Sequence, residues 1–274
     1  ITTWDAEHLQ GQLSRENNPV LSEFREQQRQ ALTAFLVQGL PTRRNEAWKY
    51  SPLTALSQQN EMLALGVSTP SIDVEKLLAL KAADVHALVF VDGCFVPDCS
   101  DLEAIQQQVT VCFDQAVSMN DYQRLFDHAA QSTDPLVQLN AALLTHTMTL
   151  QVNPGVIVET PIQLLHYFSD ASMHSMHHTA LRVELGESAS LSLLQEGISQ
   201  VGVTVFHNQV TDIVLAANAT LHHYELQRYA DTVTYVTQTR VDQQRDSHWM
   251  HCAAQLGAGY SRNALITDLR DKAA

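Results

Sequence analysis

The sequence is short of positive charge. Sixteen Lys and Arg residues stand against thirty Asp and Glu residues, which gives a formal net charge of −14 over 274 residues. Only four of the basic residues are lysines, at Lys49, Lys76, Lys81 and Lys272. A surface this acidic repels the phosphate backbone of nucleic acids, so the composition argues against a nucleic-acid partner.

Long apolar runs are also missing. No stretch approaches the roughly 18 uninterrupted apolar residues that a membrane span requires. The first residues, Ile1 to Trp4, have neither the basic nor the apolar segment of a secretory signal. We therefore predict a cytoplasmic protein with no membrane partner, and 45% apolar content supplies a sizeable core that we expect to form two units.

Cysteine motifs and catalytic motifs are absent as well. The chain has no C-x-x-C pair and no zinc-ribbon spacing. It also has no Walker loop, no G-x-S-x-G elbow and no H-E-x-x-H helix. The sequence therefore predicts no catalytic residue, and free thiols in a reducing compartment are expected at Cys94, Cys99, Cys112 and Cys252.

Helical periodicity dominates the first half of the chain. Between Trp4 and about Leu40, apolar side chains recur every three or four residues among Glu, Gln and Arg, which predicts one or two amphipathic helices. Gly39 closes this stretch, as glycine often does at helix ends. Further helices are predicted at 74–80, near 120–130 and from 135 to about 145.

A β-hairpin is predicted over residues 86–97. Asp92 and Gly93 join two β-rich runs, and Asp-Gly supplies the positive φ angles that a tight primed turn requires. After Thr147 the sequence becomes alternating and β-branched. We therefore divide the chain into a mostly helical region with a small hairpin, 1–146, and a β region, 147–274.

The β region carries a repeat of nearly 30 residues. Turns of small residues followed by strands align at Ala189, Ala219 and Ser247, with separations of 30 and 28, and Pro161 extends the series backward by 28. Repeats of this length without helical periodicity predict a β-solenoid whose rungs bury their inward faces against one another. The pattern leaves an ordinary β-sandwich open as the alternative.

Two groups among the thirteen histidines could suggest metal binding. His174, His177 and His178 lie in a segment predicted to be a polar loop between rungs, which favours adventitious binding only. His222 and His223 are neighbours in a predicted strand, so they point to opposite faces and cannot share one metal.

His248 and Cys252 form a more interesting pair, because residues four apart in a strand share a face, with His251 on the opposite one. Imidazole and thiolate suit iron or zinc. Four residues of strand nevertheless span about 13 Å, which one metal bridges only if the backbone bulges. We therefore predict a partly buried Cys252, a rung histidine at 248, and no metal-binding or cofactor-binding residue.

Trp48, Lys49 and Tyr50 combine two aromatic rings with a cation and could form a recognition surface. A structural role is favoured, in which Trp48 and Tyr50 anchor the N-terminal region. Local pairing is expected among the neighbouring charges Arg43, Arg44 and Glu46.

Four stretches match one known family, in the family's order. They are GLPTRRNEAWKYSPL at 39–53, LVFVDGCFVP at 88–97, DPLVQLNAA at 134–142, and RDS at 245–247 with LGAGYSRN at 256–263. Together they resemble the SufB/SufD family of the bacterial Suf iron–sulfur cluster assembly system, and its SufD branch more than its SufB branch.

The resemblance implies a mainly β protein: a right-handed parallel β-helix preceded by a helical N-terminal region. It implies a noncatalytic scaffold subunit, not an enzyme, that pairs with SufB and acts with the ATPase SufC. No cofactor is then expected on this chain alone, because the Fe–S cluster belongs to the full complex. Two alternatives stay open: a β-helical carbohydrate-active enzyme, although no clustering of Asp and Arg on successive rungs is visible, and an independent metal-binding protein.

Family members continue for well over a hundred residues past the position that matches Asn263. This chain begins without Met and ends at Ala274 with no closing element visible. We therefore expect it to lack the C-terminal third, including the helices that hold SufC. An open last rung exposes a sheet edge, so a homodimer through the edge of the β-helix is a further prediction.

Overall fold

The computed structural model describes residues 4–15, 19–53, 56, 63–66 and 73–270. Every α-helix of these residues lies before residue 143. They are α1 Ala6–Arg15, α2 Pro19–Glu23, α3 Arg25–Gln38, α4 Val74–Ala79, α5 Leu102–Ile105, α6 Met119–Gln131 and α7 Pro135–Ala142. None of these helices is long and apolar enough to span a bilayer.

The predicted helices are present, and capping residues account for several of their ends. Three helices occupy the stretch for which one or two were predicted, since Phe24 leaves helical geometry between α2 and α3. Gly39 adopts φ 68° directly after α3, as glycine can without strain. The side chains of Asp73 and Ser118 accept hydrogen bonds from backbone N–H groups in the first turns of α4 and α6.

The strands of the described residues lie mostly in the second half of the chain. They are β1 Ala64–Leu65, β2 His86–Val91, β3 Cys94–Phe95, β4 Val109–Phe113, β5 His146–Val152, β6 Ile162–Phe168, β7 Ser175–Leu185, β8 Ser190–Ser199, β9 Val205–Leu215, β10 Thr220–Arg228, β11 Thr234–Gln243, β12 His248–Gln255 and β13 Tyr260–Leu269.

Two sheets share these strands, and from β5 onward the chain alternates between them. One sheet has the order β13-β11-β9-β7-β5-β4 and the other the order β12-β10-β8-β6-β2-β3. From β5 to β13, each strand pairs in parallel with the strand two places along the chain. This pairing confirms the parallel β-solenoid and excludes an antiparallel sandwich, while the right-handed winding stays a prediction.

The predicted hairpin is confirmed and is part of the solenoid. Asp92 and Gly93 form the turn with φ angles of 51° and 82°, and β2 pairs in parallel with β6. The buried carboxylate of Asp92 accepts hydrogen bonds from the Ser169 N–H and from the hydroxyls of Ser169 and Ser172. Strand β2 thus belongs to the predicted first region but completes the second sheet, and the division at residue 146 stays a prediction.

The repeat is confirmed in the later rungs. Thr220 pairs with Ser190 and with His248, which are offsets of 30 and 28 residues. The backward extension to Pro161 is wrong, because Ile157 bridges to Ser190, an offset of 33. The earlier rung has extra residues before β6, where the offset falls to 31, so a single period cannot locate its turn.

The solenoid interior has two halves of different composition. The apolar half consists of fully buried aliphatic side chains at paired positions on successive rungs: Leu150, Val183, Ile213 and Val241 from one sheet, and Leu191 and Leu221 from the other. In the polar half, the later residues of the second-sheet strands face the first residues of the first-sheet strands. It consists of Gln195, Gln209, His223, Glu225, Gln227 and Thr237, all buried.

Candidate metal centre

Three side chains of the solenoid interior converge where β10 pairs with β12. His223 and Glu225 lie on β10, and the register places His251 of β12 directly opposite His223. Each residue offers a ligand atom within 4.8 Å of the other two. Glu225 Oε1 lies 3.5 Å from His251 Nε2 and 3.7 Å from His223 Nε2. Neighbouring ligands of a tetrahedral zinc ion lie about 3.4 Å apart, so the spacing fits a bound metal.

Strand alternation explains why these side chains point inward. Along β10, Leu221, His223 and Glu225 are buried, whereas His222 and Tyr224 between them face outward. The prediction that His222 and His223 occupy opposite faces is therefore confirmed. His223 instead meets a histidine of the next rung, because equivalent positions of neighbouring rungs stack about 4.8 Å apart.

His223 is neutral at physiological pH and is incompletely hydrogen bonded. Burial lowers the pKa of His223 to about 4, although the charge of Glu225 raises it. Its Nε2 lies 2.6 Å from Gln195 Oε1, whereas its Nδ1 is buried without a hydrogen-bond partner. A neutral imidazole is the form that binds metal ions. The ring can offer Nε2, which lies 3.7 Å from Glu225 Oε1, if the Gln195 amide turns away.

Glu225 is a buried carboxylate that has no Lys or Arg partner among the described residues. Its side chain is 9% exposed, and its only ion pairs with described residues are those with His223 and His251. Asn263 Nδ2 of β13 donates a hydrogen bond to Glu225 Oε2 at 2.5 Å. Glu196 shows the usual arrangement, since this buried carboxylate pairs with Arg228. Buried charges normally need such a counter-charge, and around Glu225 the described residues supply only the two imidazoles.

A small polar cavity adjoins Glu225. It measures about 20 Å³ and is lined by Gln195, Gln209, Gln227 and Tyr229, among others. This volume suffices for about one water molecule, and the lining supplies polar partners for it. The cavity reaches Glu225 of the three side chains, whereas His223 and His251 are not part of its lining.

The predicted pair His248 and Cys252 is not brought together with these residues. Both lie on the outward face of β12 and are exposed, so the expected partial burial of Cys252 is wrong. The inward face instead carries His251. The sequence repeat could have identified His251 as the partner of His223, because the two residues are separated by one 28-residue period.

The predicted loop at His174, His177 and His178 is wrong for two of the three. His177 and His178 lie within β7 and are fully buried, and only His174 falls in the preceding turn. His177 Nε2 lies 2.9 Å from Ser175 Oγ, and His178 Nδ1 lies 3.2 Å from Asn208 Nδ2. Burial lowers the pKa of each of these two rings to about 3.

Burial on both faces of β7 explains the error. The ring of His177 faces the interior, and its centroid lies 4.8 Å from the centroid of the Phe168 ring. Helix α7 packs on the other face of the sheet. Asn140 of α7 donates hydrogen bonds to the carbonyl groups of Thr179 and Asn208. A strand covered on both sides loses the alternation of polar and apolar residues by which strands are predicted.

The structural role predicted for Trp48 is confirmed. Its side chain is 1% exposed, its Nε1 donates to Asp134 Oδ2 at 3.2 Å, and the Arg262 guanidinium carbon lies 4.0 Å from its ring centroid. Arg262 also donates to the Ala47 carbonyl at 2.8 Å. Residues 39–53 thus dock on β13, the last described strand.

The anchoring role predicted for Tyr50 is wrong, because this ring is 90% exposed beside Lys49. In this segment the backbone N–H and the hydroxyl of Thr42 donate hydrogen bonds to Asn45 Oδ1. No ion pair within the described part of the chain involves the neighbouring charges Arg43, Arg44 and Glu46.

A charge cluster that the sequence did not reveal lies on the outer face of the first sheet. Arg182, Asp212 and Arg240 occupy equivalent positions on β7, β9 and β11. Arg182 pairs with Asp121 of α6 and with Asp212, and Arg240 pairs with Asp268. Asp and Arg therefore do cluster on successive rungs, but both arginines are paired with carboxylates, and the Arg182–Asp121 pair secures α6.

Known proteins share both halves of this chain. Residues 7–164 match the family model described as SufBD protein N-terminal region, and residues 167–274 match the model described as SUF system FeS cluster assembly, SufBD core domain. Iron-sulfur cluster assembly protein SufD of Escherichia coli is 30% identical over 206 residues, 73% of this chain and 45% of its own length.

An iron-sulfur cluster assembly SufBD family protein of Synechocystis sp. is 23% identical over 245 residues, 85% of this chain and 54% of its own length. The chain thus spans about half the length of the curated relatives it matches. Because the two family models together cover nearly all of the residues from 7 to 274, this chain belongs to the SufBD family.

Proposed function

We propose that the protein is a noncatalytic scaffold subunit of a bacterial Fe–S cluster assembly complex, acting with SufB and the ATPase SufC. The observation that carries the proposal is the match of residues 7–164 and 167–274 to the two SufBD family models. The E. coli relative carries iron–sulfur cluster assembly in its name. A cytoplasmic location and a homodimer through the edge of the β-helix stay predictions.

The solenoid itself favours a scaffold over the carbohydrate-active alternative. Enzymes that cleave polysaccharides need carboxylates that the polymer can reach. Here the carboxylate of Glu225 points into the interior, and Asp212 on the outer face is held by Arg182. The described rungs thus offer stacked sheets for protein contacts, and the charges of this outer face are already paired.

Co-purification tests the proposal. The complete gene product, tagged and co-expressed with SufB and SufC of the same organism under anaerobic conditions, should retain both partners through size-exclusion chromatography. ATP hydrolysis should disappear when SufC alone is omitted, and the purified complex should accept iron and sulfide as an Fe–S cluster. Failure to retain either partner, or ATP hydrolysis by the gene product alone, would contradict the proposed role.

A further inference from the structure

We propose that His223, Glu225 and His251 bind one divalent first-row transition-metal ion inside the solenoid, with ferrous iron and zinc as the ions of matching chemistry. Two imidazoles and a carboxylate form a donor set that suits these ions. The proposal goes beyond a scaffold role, which requires no ion on this subunit. It also replaces the expectation that the chain alone binds no cofactor.

The charge of Glu225 is the first reason. A buried carboxylate is stable only when a cation or several donors compensate it. Glu196 has Arg228, and Asp92 accepts three hydrogen bonds. Among the described residues, Glu225 has one amide donor, Asn263, and the imidazoles of His223 and His251 at 3.7 Å and 3.5 Å. A divalent cation would supply the compensating charge.

The second reason is that the three ligands are already held in place. His223 and His251 are fixed opposite each other by the pairing of β10 with β12. Gln195 contacts the ring of His223, and Asn263 holds the carboxylate of Glu225 from the facing sheet. Such supporting contacts to ligand side chains are a regular feature of protein metal sites. Only small side-chain adjustments are needed to close the ligands around an ion.

The competing explanation is a purely structural polar network, and the unpartnered atoms argue against it. A structural network satisfies its buried polar atoms. In this cluster His223 Nδ1 and His251 Nε2 have no hydrogen-bond partner among the described residues, and neither has Asn263 Oδ1. The groups that lack partners thus include a nitrogen of each proposed histidine ligand.

Metal counting on the purified chain tests the proposal. The protein is stripped with chelator, dialysed anaerobically against Fe²⁺ or Zn²⁺, and its metal content is measured by mass spectrometry. We expect one ion per chain, and at least tenfold weaker binding in His251→Ala and Glu225→Gln. The matched controls are His248→Ala and His222→Ala, which remove outward-facing histidines of the same two strands and should keep the full metal content.

Cobalt provides a test that does not depend on removing a ligand. In His251→Cys the site should still bind Co²⁺, and its absorption spectrum should gain a thiolate charge-transfer band that the wild type lacks. Circular dichroism verifies that each variant is folded. The Cys variant keeps the test decisive if His251→Ala does not fold.

Several results would overturn the proposal. They are a wild-type chain with no bound Fe²⁺ or Zn²⁺, equal losses in the variants and the controls, a His251→Cys protein without the thiolate band, and preferential binding of Ca²⁺ or Mg²⁺. Because the titration uses neither SufB nor SufC, a failure of the proposed scaffold role leaves its outcome unchanged. Loss of metal binding likewise leaves the co-purification unaffected.

Discussion

The two halves of the solenoid interior are built on the same strands but depend on different forces. In the apolar half, aliphatic side chains stack from rung to rung, and burial stabilises them by about 25 cal/mol per Å² of apolar surface. In the polar half, every buried donor or acceptor that lacks a partner costs about 1–3 kcal/mol. The apolar half therefore supplies stability, whereas the polar half costs stability wherever a buried polar atom lacks a partner.

Acid should have the largest effect, because it acts through histidines that burial keeps neutral and not through the aliphatic side chains of the apolar half. Burial lowers the pKa of His166 to about 4 and those of His177 and His178 to about 3. The unfolded chain takes up these protons below pH 6.5 and the folded chain does not, so stability is lost as the pH falls through this window. Between pH 7 and pH 5 the loss is about 2 kcal/mol per histidine, roughly 6 kcal/mol for three.

Urea unfolding at pH 7 and pH 5 measures this loss. His178→Asn should remove about a third of the pH dependence, because one of the three protonation sites is gone. Equal free energies of unfolding at the two pH values would show that these rings are accessible to protons in the folded state.

Truncation in the apolar half should be the next largest effect. Ile213 is fully buried between Val183 and Val241 of the neighbouring rungs. Ile213→Ala should lower the free energy of unfolding at pH 7 by about 2–5 kcal/mol, since it removes buried methyl groups and leaves a cavity. The control Val201→Ala, at a position 87% exposed, should stay within about 0.5 kcal/mol. Similar effects in both variants would refute the stacking argument.

Added volume at the polar end should have an intermediate effect. A Cβ at Gly197 would lie 2.4 Å from Cζ of the buried Tyr229 ring. Gly197→Ala should therefore cost about 1–3 kcal/mol in thermal or urea unfolding. Gly11→Ala is the matched control, because outside its own helix backbone no described residue lies within 4 Å of the carbon added to that helical glycine; it should stabilise by about 0.5–1 kcal/mol. Stabilisation by both substitutions would show that the Tyr229 ring moves freely.

Removal of the charge at Glu225 should have the smallest effect on stability. In chelator, Glu225→Gln should change the free energy of unfolding by less than about 1 kcal/mol or raise it, because the amide oxygen can still accept from Asn263 and no buried charge remains. The measurement is urea unfolding in metal-free buffer. A loss above about 2 kcal/mol would show that the carboxylate is a structural element in its own right.

The sequence predicts the fold correctly where backbone conformation at single residues or the repeat spacing determines it. Gly39 and the turn at Asp92 and Gly93 act through their own backbone angles, and the spacing of Ala219 and Ser247 equals the rung offset. Pro161 misled because extra residues between two rungs change the period without changing the pattern. Tyr50 misled because composition alone does not say which of two neighbouring aromatic rings is buried.

Only part of the candidate metal centre could be predicted from the sequence. His223 and His251 are one period apart, so a comparison across rungs would have paired them, whereas the comparison along one strand led to His248 and Cys252. The contribution of Asn263 could not be foreseen, because it faces the site from the opposite sheet. Distances between the sheets depend on how the turns bend, which a repeat length does not encode.

The docking of residues 39–53 on β13 has a consequence for synthesis of the protein. Ala47 and its partner Arg262 are 215 residues apart. At about 5–20 residues per second, the ribosome needs roughly 10–40 s to make the intervening chain. Trp48 therefore emerges long before the strand that covers its ring, and the N-terminal region, although made first, completes its contacts only after the described rungs have been synthesised.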